Sequence, residues 1–343
     1  MGLLECASAA STWRGYDYYK ENRVVNLIET DSGKTILIDA PDDRIYKTSS
    51  PDSTTPILTY LSKVNITTLD YIICTHFHSD HAGALPIIMQ KYCNKNSKFI
   101  YNNISDSAIN SISNEVTWKT VTYKNNVLNM ANTIGMTSTS PNANTTFTLD
   151  DNTSFKICKT SSTSGLTDYN GYSLAIVFIY KGRRILLGGD INPTTQSQLV
   201  NAIGQCDIVK DPHHGYNSKL NLEFCKSVNP KDVIVTRNHD WGTGYYRACN
   251  SVGMWQSYEK NIYTLFHTNN HIVIDFIGND YVISTSNRFY FEKCWHKFNN
   301  DDNYWCYFKQ GGQYARNETL VLDNQKRYDF DSNGFCTNPY SPY

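Results

Sequence analysis

An apolar run, Tyr71-Ile72-Ile73-Cys74, leads directly into Thr75-His76-Phe77-His78-Ser79-Asp80-His81. Three histidines and an aspartate fall within six positions, in a chain of 343 residues that holds only nine histidines. A fully apolar strand belongs in a core, and a solvated polar loop has no reason to follow one. Residues two apart at a strand end point to the same side, so His76 and His78 can share one cation. Asp80 and His81 then sit at the opening of the next helix, turned toward a neighbouring position. That geometry suits two metal ions held close together.

Further apolar runs predict strands over Val24–Glu29, Lys34–Asp39, Leu69–Thr75, Ser173–Tyr180 and Arg183–Gly188. The same pattern recurs at Cys206–Lys210, Asp232–Thr236, Asn261–Phe266, Ile272–Phe276 and Tyr281–Thr285. Helical spacing fits Pro56–Val64, Ala82–Tyr92, Pro193–Ile203 and Tyr246–Tyr258. Strands interleaved with helices imply an α/β domain with mixed sheets. The stretch from Thr137 to Ser164, rich in Ser, Thr and Asn, reads as loops or an edge hairpin.

The pattern His76-x-His78-x-Asp80-His81 behind an apolar strand resembles the metallo-β-lactamase fold superfamily. The resemblance implies an αββα four-layer sandwich with its metal site at one edge of the paired sheets. Val25–Glu29 and Thr35–Asp39 look like the opening hairpin, with Ala40-Pro41 in place of the usual small-Gly ending. Arg184–Asp190 looks like the strand that ends in a bridging aspartate, and Asp207–Gly215 like the strand that delivers the last histidine. The implied ligands are His76, His78, Asp80, His81, Asp190 and His214. For the doublet, one of His213 and His214 ligates while its neighbour bonds substrate or supports the ligand, and His213 is the second candidate for either role.

No histidine lies between His81 and His213, so the third histidine that many members use on the first metal is missing. That ion would have His76, His78, Asp190 and water, with an open position suited to catalysis. The absence speaks against lactam-hydrolysing and glyoxalase-type activity. It is similar to the pattern of DNA-uptake-type domains, which carry a Pro-His-His-Gly segment, and of cell-wall phosphorylcholine esterases. The Asp207–Lys219 segment and the passage from Tyr281–Ser286 into Trp295-His296-Lys297 resemble the esterases.

The texture changes near residue 287, which divides a hydrolase-like domain (1–287) from an aromatic β-hairpin tail (288–343) resembling choline- or cell-wall-binding repeats. There Trp295, Trp305, Tyr307, Tyr328 and Phe330 approximate the aromatic positions of such repeats. Ring faces hold a quaternary ammonium by ~0.5–2 kcal/mol per contact. The other reading of this tail is a hairpin extension that packs on the domain.

Two divalent ions would bring the pKa of a bound water toward ~7, and the resulting hydroxide would attack phosphorus or carbonyl carbon. Histidine-rich ligation favours Zn²⁺, and Mn²⁺ or Fe can share such ligands. A phosphodiester is the favoured substrate, because two cations match the charge spread over its non-bridging oxygens. Asp80 would ligate and orient the nucleophile. Asn238, His239 and Trp241 are candidates for the pocket wall, with His239 donating to a phosphate or leaving oxygen. Tyr245, Tyr246 and Trp255 offer ring faces for choline or, alternatively, helix packing. Two other functions compete: a nucleotide or nucleic-acid phosphodiesterase, and a surface choline- or glycan-binding protein with a vestigial hydrolase domain.

Composition trims these options. A formal net charge of -1 gives no overall footprint for nucleic acid. No apolar run approaches the ~18 residues of a membrane helix. The start lacks the basic end and apolar stretch of a signal peptide, while Ala7-Ser8-Ala9 has the small-x-small form of a cleavage site; the compartment stays open, with a secreted or surface setting favoured. Ten cysteines include no Cys-x-x-Cys pair, so a zinc ribbon is not expected. Cys294, Cys306 and Cys336 could form one disulfide in the tail, and the others read as buried thiols such as Cys74.

Overall fold

The strand Thr35–Ile38 alternates its side chains between two cores: Ile36 and Ile38 face one, Leu37 the other. The next strand, Tyr71–Ile73, does the same, with Tyr71 and Ile73 on one side and Ile72 opposite. A strand buried on both faces reads as a continuous apolar run, which is why these segments show no polar alternation. In the second half of the chain Ala175–Tyr180 and Arg183–Leu187 repeat the pattern. Ile176, Phe178, Ile185 and Leu187 enter the same central core as Ile36, while Val177 and Leu186 enter a third.

The computed structural model describes residues 3–8, 24–42, 58, 61–62, 65–161, 167–215, 220–236, 255, 260–264, 271–277, 279–285, 294–297, 305–308, 315, 317–322, 324–331 and 336–338. Eight strands form the first sheet, in the spatial order Asp280–Thr285, His271–Ile277, Leu3–Ser8, Val24–Glu29, Thr35–Ile38, Tyr71–Ile73, Lys98–Ile100 and Thr137–Thr139. Seven form the second, from Asn261–Thr264 through Asp232–Val235, Ile208–Lys210, Arg183–Leu187, Ala175–Tyr180 and Thr153–Cys158 to Thr146–Thr148. The central core lies between them. Helices Leu85–Tyr92 and Thr120–Ile134 cover the first sheet through Leu85, Ile88, Met89, Val127 and Ala131. Helices Pro193–Ile203 and Leu222–Val228 cover the second through Leu199, Ile203, Phe224 and Val228. Helix, sheet, sheet and helix make the four layers of an αββα sandwich.

Strand register decides where the chemistry falls. Ile38 pairs with Ile73 and Ile73 with Ile100, all parallel. In the other sheet Leu187 pairs with Lys210 and Lys210 with Ile234, also parallel. The carboxyl ends of these strands therefore align at one edge of each sheet. The two edges meet where the Leu174 N–H donates to the Thr75 carbonyl at 2.9 Å. Gly189 fits this contact only because it has no side chain: a Cβ there would lie 3.0 Å from both the Leu174 oxygen and Thr75 Cβ.

Leu3–Ser8 is a strand in the interior of the eight-stranded sheet, paired on both sides. The Ser/Thr/Asn-rich stretch contains the edge hairpin Thr146–Thr148 with Thr153–Cys158, but the latter is also an inner strand against Ala175–Tyr180. Cys336 is a free thiol, as are the buried Cys74, Cys158, Cys206 and Cys225. Burial pushes the Cys206 thiol up to about 12, so it is inert at neutral pH.

In the tail, Cys294–Lys297 pairs with Trp305–Phe308 and Glu318–Val321 with Arg327–Phe330. Tyr307, Tyr328 and Phe330 are buried with Ala315 in a small core of their own. These three rings fill a core within the hairpins. Two-stranded pieces are marginal in water, and inward aromatics give them the apolar contact they otherwise lack. No helix among the described residues is long and apolar enough to cross a membrane.

Candidate metal centre

Four strand ends supply the site. After Tyr71–Ile73 the chain delivers His76, His78, Asp80 and His81; after Arg183–Leu187 it delivers Asp190; after Ile208–Lys210 it delivers His213 and His214. The fourth end, after Thr35–Ile38, supplies Asp39.

Asp190 is the hub. Its Oδ2 lies 3.2 Å from His81 Nε2, 3.5 Å from His214 Nε2, 3.8 Å from His213 Nε2 and 3.9 Å from His76 Nε2. Its Oδ1 is buried and has no hydrogen-bond partner among the described residues. His76 Nε2 and His78 Nδ1 approach to 3.0 Å. His81 Nε2 and His214 Nε2 approach to 3.1 Å, with Asp80 Oδ2 3.5 Å from His214. Two triads, His76–His81–Asp190 and Asp80–His81–His214, each bring their ligand atoms within 4.8 Å of one another.

Nitrogens and carboxylate oxygens converging in a buried place, with one carboxylate oxygen left over, are what divalent cations need. The donor set fits metal on chemical grounds. Without it, the imidazoles would crowd one another around a single aspartate.

The electrostatics reflect that crowding. Burial alone pushes the Asp190 carboxyl up, but His81, His214 and His213 together hold it well below the ordinary carboxylate range. Burial pushes the His76 imidazole well down, reinforced by charge on His81 and His78. Burial also works against charge on His81, yet Asp190, Asp39 and Asp80 raise it well above the usual histidine value.

Asp39 orients His81. The His81 Nδ1–H donates to Asp39 Oδ2 at 2.8 Å, which turns Nε2 toward Asp190 and makes it the nitrogen available to a cation. Asp39 also accepts from the Thr75 backbone N–H at 2.7 Å and from the Thr75 hydroxyl at 2.8 Å. It holds a left-handed backbone, φ 63°, that turns its carboxylate across the strand end. Such outer carboxylates fix ligand tautomer and raise basicity. Asp39→Asn is expected to weaken metal binding ~10–100-fold, measured by competition with a chromophoric chelator.

The segment carrying the histidine doublet is strained. His213 and His214 both sit at positive φ, 51° and 58°, a conformation costing about 1–2 kcal/mol for each such residue. It is held by the His213 N–H on the Gly189 carbonyl at 3.0 Å, and by Asp211, whose N–H donates to the Ile234 carbonyl at 2.8 Å. Trp255 anchors Asp211 in turn, donating its Nε1–H to Oδ1 at 3.0 Å from a fully buried position. Trp255 is thus packing, not a ring face for a ligand. The turn buries His214 among the donors, while the His213 side chain stays 17% exposed at the rim.

Asn238, His239 and Trp241 lie outside the described residues, as do Tyr245 and Tyr246. Two residues the sequence analysis did not single out, Asp39 and Glu115, touch the ligands directly. Asp39 carries a weak signal, an acid at the end of an apolar strand. Nothing around Glu115 in Ser113-Asn114-Glu115-Val116 marks it.

The fold is similar to the metallo-β-lactamase fold protein YhfI from Bacillus subtilis, at 9% identity and TM-score 0.47 over 77% of this chain and 95% of that one. It is also similar to a protein from Parabacteroides distasonis described as a metal-dependent hydrolase, at 13% identity and TM-score 0.42 over 70% of this chain and 88% of that one. CmlA, a diiron β-hydroxylase from Streptomyces venezuelae, aligns at 13% identity and TM-score 0.40 over 68% of this chain and 44% of its own. No curated protein matches the chain. Residues 20–237, well over half of the sequence, match the metallo-beta-lactamase superfamily, and the chain belongs to it.

Proposed function

We propose that this protein is a dinuclear metal-dependent hydrolase that cleaves a phosphodiester, with phosphorylcholine esters the favoured class. The observation that carries the reading is the position of Asp190 Oδ2, within 3.9 Å of His76, His81 and His214 at once. One carboxylate shared among that many donors suits a pair of cations.

His76 and His78 would hold the first ion, Asp80, His81 and His214 the second, and Asp190 both. Bound there, the ions supply Lewis acidity, lowering the pKa of water toward ~7 and offsetting charge on non-bridging phosphate oxygens. The chain's own groups do the rest. Asp80, partly open at the rim, orients the attacking water and accepts its proton. As the water oxygen bonds to phosphorus, the bond to the leaving oxygen breaks, and His213 at the open side donates a proton to that oxygen. Burial of His76, His81 and Asp190 keeps competing water from the donors.

Bis-p-nitrophenyl phosphate and p-nitrophenyl-phosphorylcholine, each with metal-loaded and chelated protein, test the reading. Hydrolysis that disappears with chelator and returns with Zn²⁺ or Mn²⁺ is expected, faster on the choline ester. A metal-loaded protein inert toward both esters overturns the proposal. The near-neutral net charge offers little for a long nucleic acid, whose binding needs clustered Lys and Arg.

A further inference from the structure

The helical turn Glu115–Trp118 lies against the mouth of the metal centre. It is bracketed by two non-glycine residues in the left-handed region, Asn114 at φ 71° and Lys119 at φ 59°. Backbone of this kind is unfavourable for a side-chain-bearing residue and persists where surrounding contacts hold it. The contact here is Glu115. Its side chain is almost fully buried, and its Oε2 lies 3.0 Å from His78 Nε2. The same oxygen accepts the Thr120 hydroxyl at 2.5 Å, while Oε1 is buried without a partner among the described residues.

Two aromatic rings also pack against His78. The Trp118 ring meets it edge-on with centroids 5.2 Å apart, and the Tyr169 ring lies 5.4 Å away. Its Nδ1 is the nitrogen that approaches His76 Nε2 to 3.0 Å. An imidazole that donates from Nε2 to a carboxylate presents a bare lone pair at Nδ1. The two nitrogens of His78 are therefore assigned opposite tasks by one acid.

We infer that Glu115 is a positioning residue for the metal centre: it fixes His78 as the Nε2–H tautomer and aims Nδ1 at the point that His76 Nε2 also faces. It serves His78 as Asp39 serves His81, so each half of the centre has its own outer carboxylate. This rests on the proposed dinuclear centre, but the tautomer is measurable without metal. The half served by Glu115 is also the half that lacks a third histidine. Orientation of the two it has therefore matters more there.

Nitrogen-15 NMR of the ring of His78 in metal-free wild type, Glu115→Gln and Glu115→Ala is the first arm. Wild type is expected to show the Nε2–H tautomer with a slowly exchanging, downfield proton; Glu115→Ala loses both. Chelator competition with Zn²⁺ is the second arm. Glu115→Ala is expected to weaken one of two ions ~10–100-fold and leave the other unchanged. Glu115→Gln keeps the size and one acceptor, so it falls between, and it carries both arms if the alanine variant does not fold. A Nδ1–H tautomer in wild type overturns the inference, as does an alanine variant that keeps the tautomer and both affinities within about twofold. Wild type that takes up no zinc overturns the dinuclear reading instead, while the metal-free spectrum still judges Glu115.

Discussion

Asp190→Asn is expected to bind fewer than two equivalents of metal and to lower hydrolysis by ~10³-fold or more, about 4 kcal/mol of transition-state stabilisation. The substitution keeps the volume and removes the charge. Asp190 Oδ2 is the one oxygen near His76, His81, His213 and His214 together, so its loss affects both halves of the centre at once. The fold should remain, because Asp190 belongs to none of the apolar clusters that join sheets and helices. His78→Ala is expected to share this profile, abolishing turnover with little loss of stability. Metal content by elemental analysis and unfolding midpoints in denaturant, taken on the same preparations, separate loss of the centre from loss of the fold. An Asp190→Asn enzyme with two tightly held ions and wild-type rates contradicts the assignment.

Gly215→Ala should act through the opposite route, by damaging the backbone that presents His214. Gly215 has φ 83°, and a Cβ there would lie 2.5 Å from Val235 Cγ1 and 3.0 Å from Asp211 Oδ2. Val235 is fully buried in the second sheet, so it cannot step aside. Left-handed strain and overpacking together are expected to cost ~2–4 kcal/mol, with loss of the ion at His214 as the turn shifts. Gly33 is the control, with φ 77° and nothing within 4 Å of an added Cβ. Gly33→Ala should cost only the strain, ~1 kcal/mol, and leave metal binding intact. Equal destabilisation of the two variants, read from denaturant midpoints, would show that the steric contact at Gly215 carries no weight.

Much of the sandwich was legible because its central strands are buried on both faces. Val24–Glu29 coincides with its predicted span, and Arg183–Leu187 and Pro193–Ile203 match to within a residue. Other elements were hidden for physical reasons. Leu3–Ser8 is a short interior strand whose pairing partners, Val24–Glu29 and His271–Ile277, lie at opposite ends of the fold's sequence. Thr120–Ile134 buries Val127 and Ala131 at helical spacing, but its Thr and Asn residues dilute the apolar pattern. Strand Lys98–Ile100 is three residues long, too short for a periodicity to register.

The same division runs through the centre itself. Which side chains stand at strand ends was set by local pattern: an apolar strand must emerge from the core somewhere, and the residues just past its end come to lie at the sheet edge. Local pattern therefore marked His76, His78, Asp80 and His81, and the family resemblance added Asp190 and the His213–His214 pair as candidates. Their surroundings were decided only in three dimensions. Asp39 meets His81 across 42 positions, Glu115 meets His78 across 37, and His214 meets His81 across 133. Those encounters depend on parallel register within each sheet, on how the two sheets meet at Thr75 and Leu174, and on two residues forced into left-handed backbone before Gly215. None of these is a property of neighbouring residues, so the sequence alone could supply the donors but not their orientation.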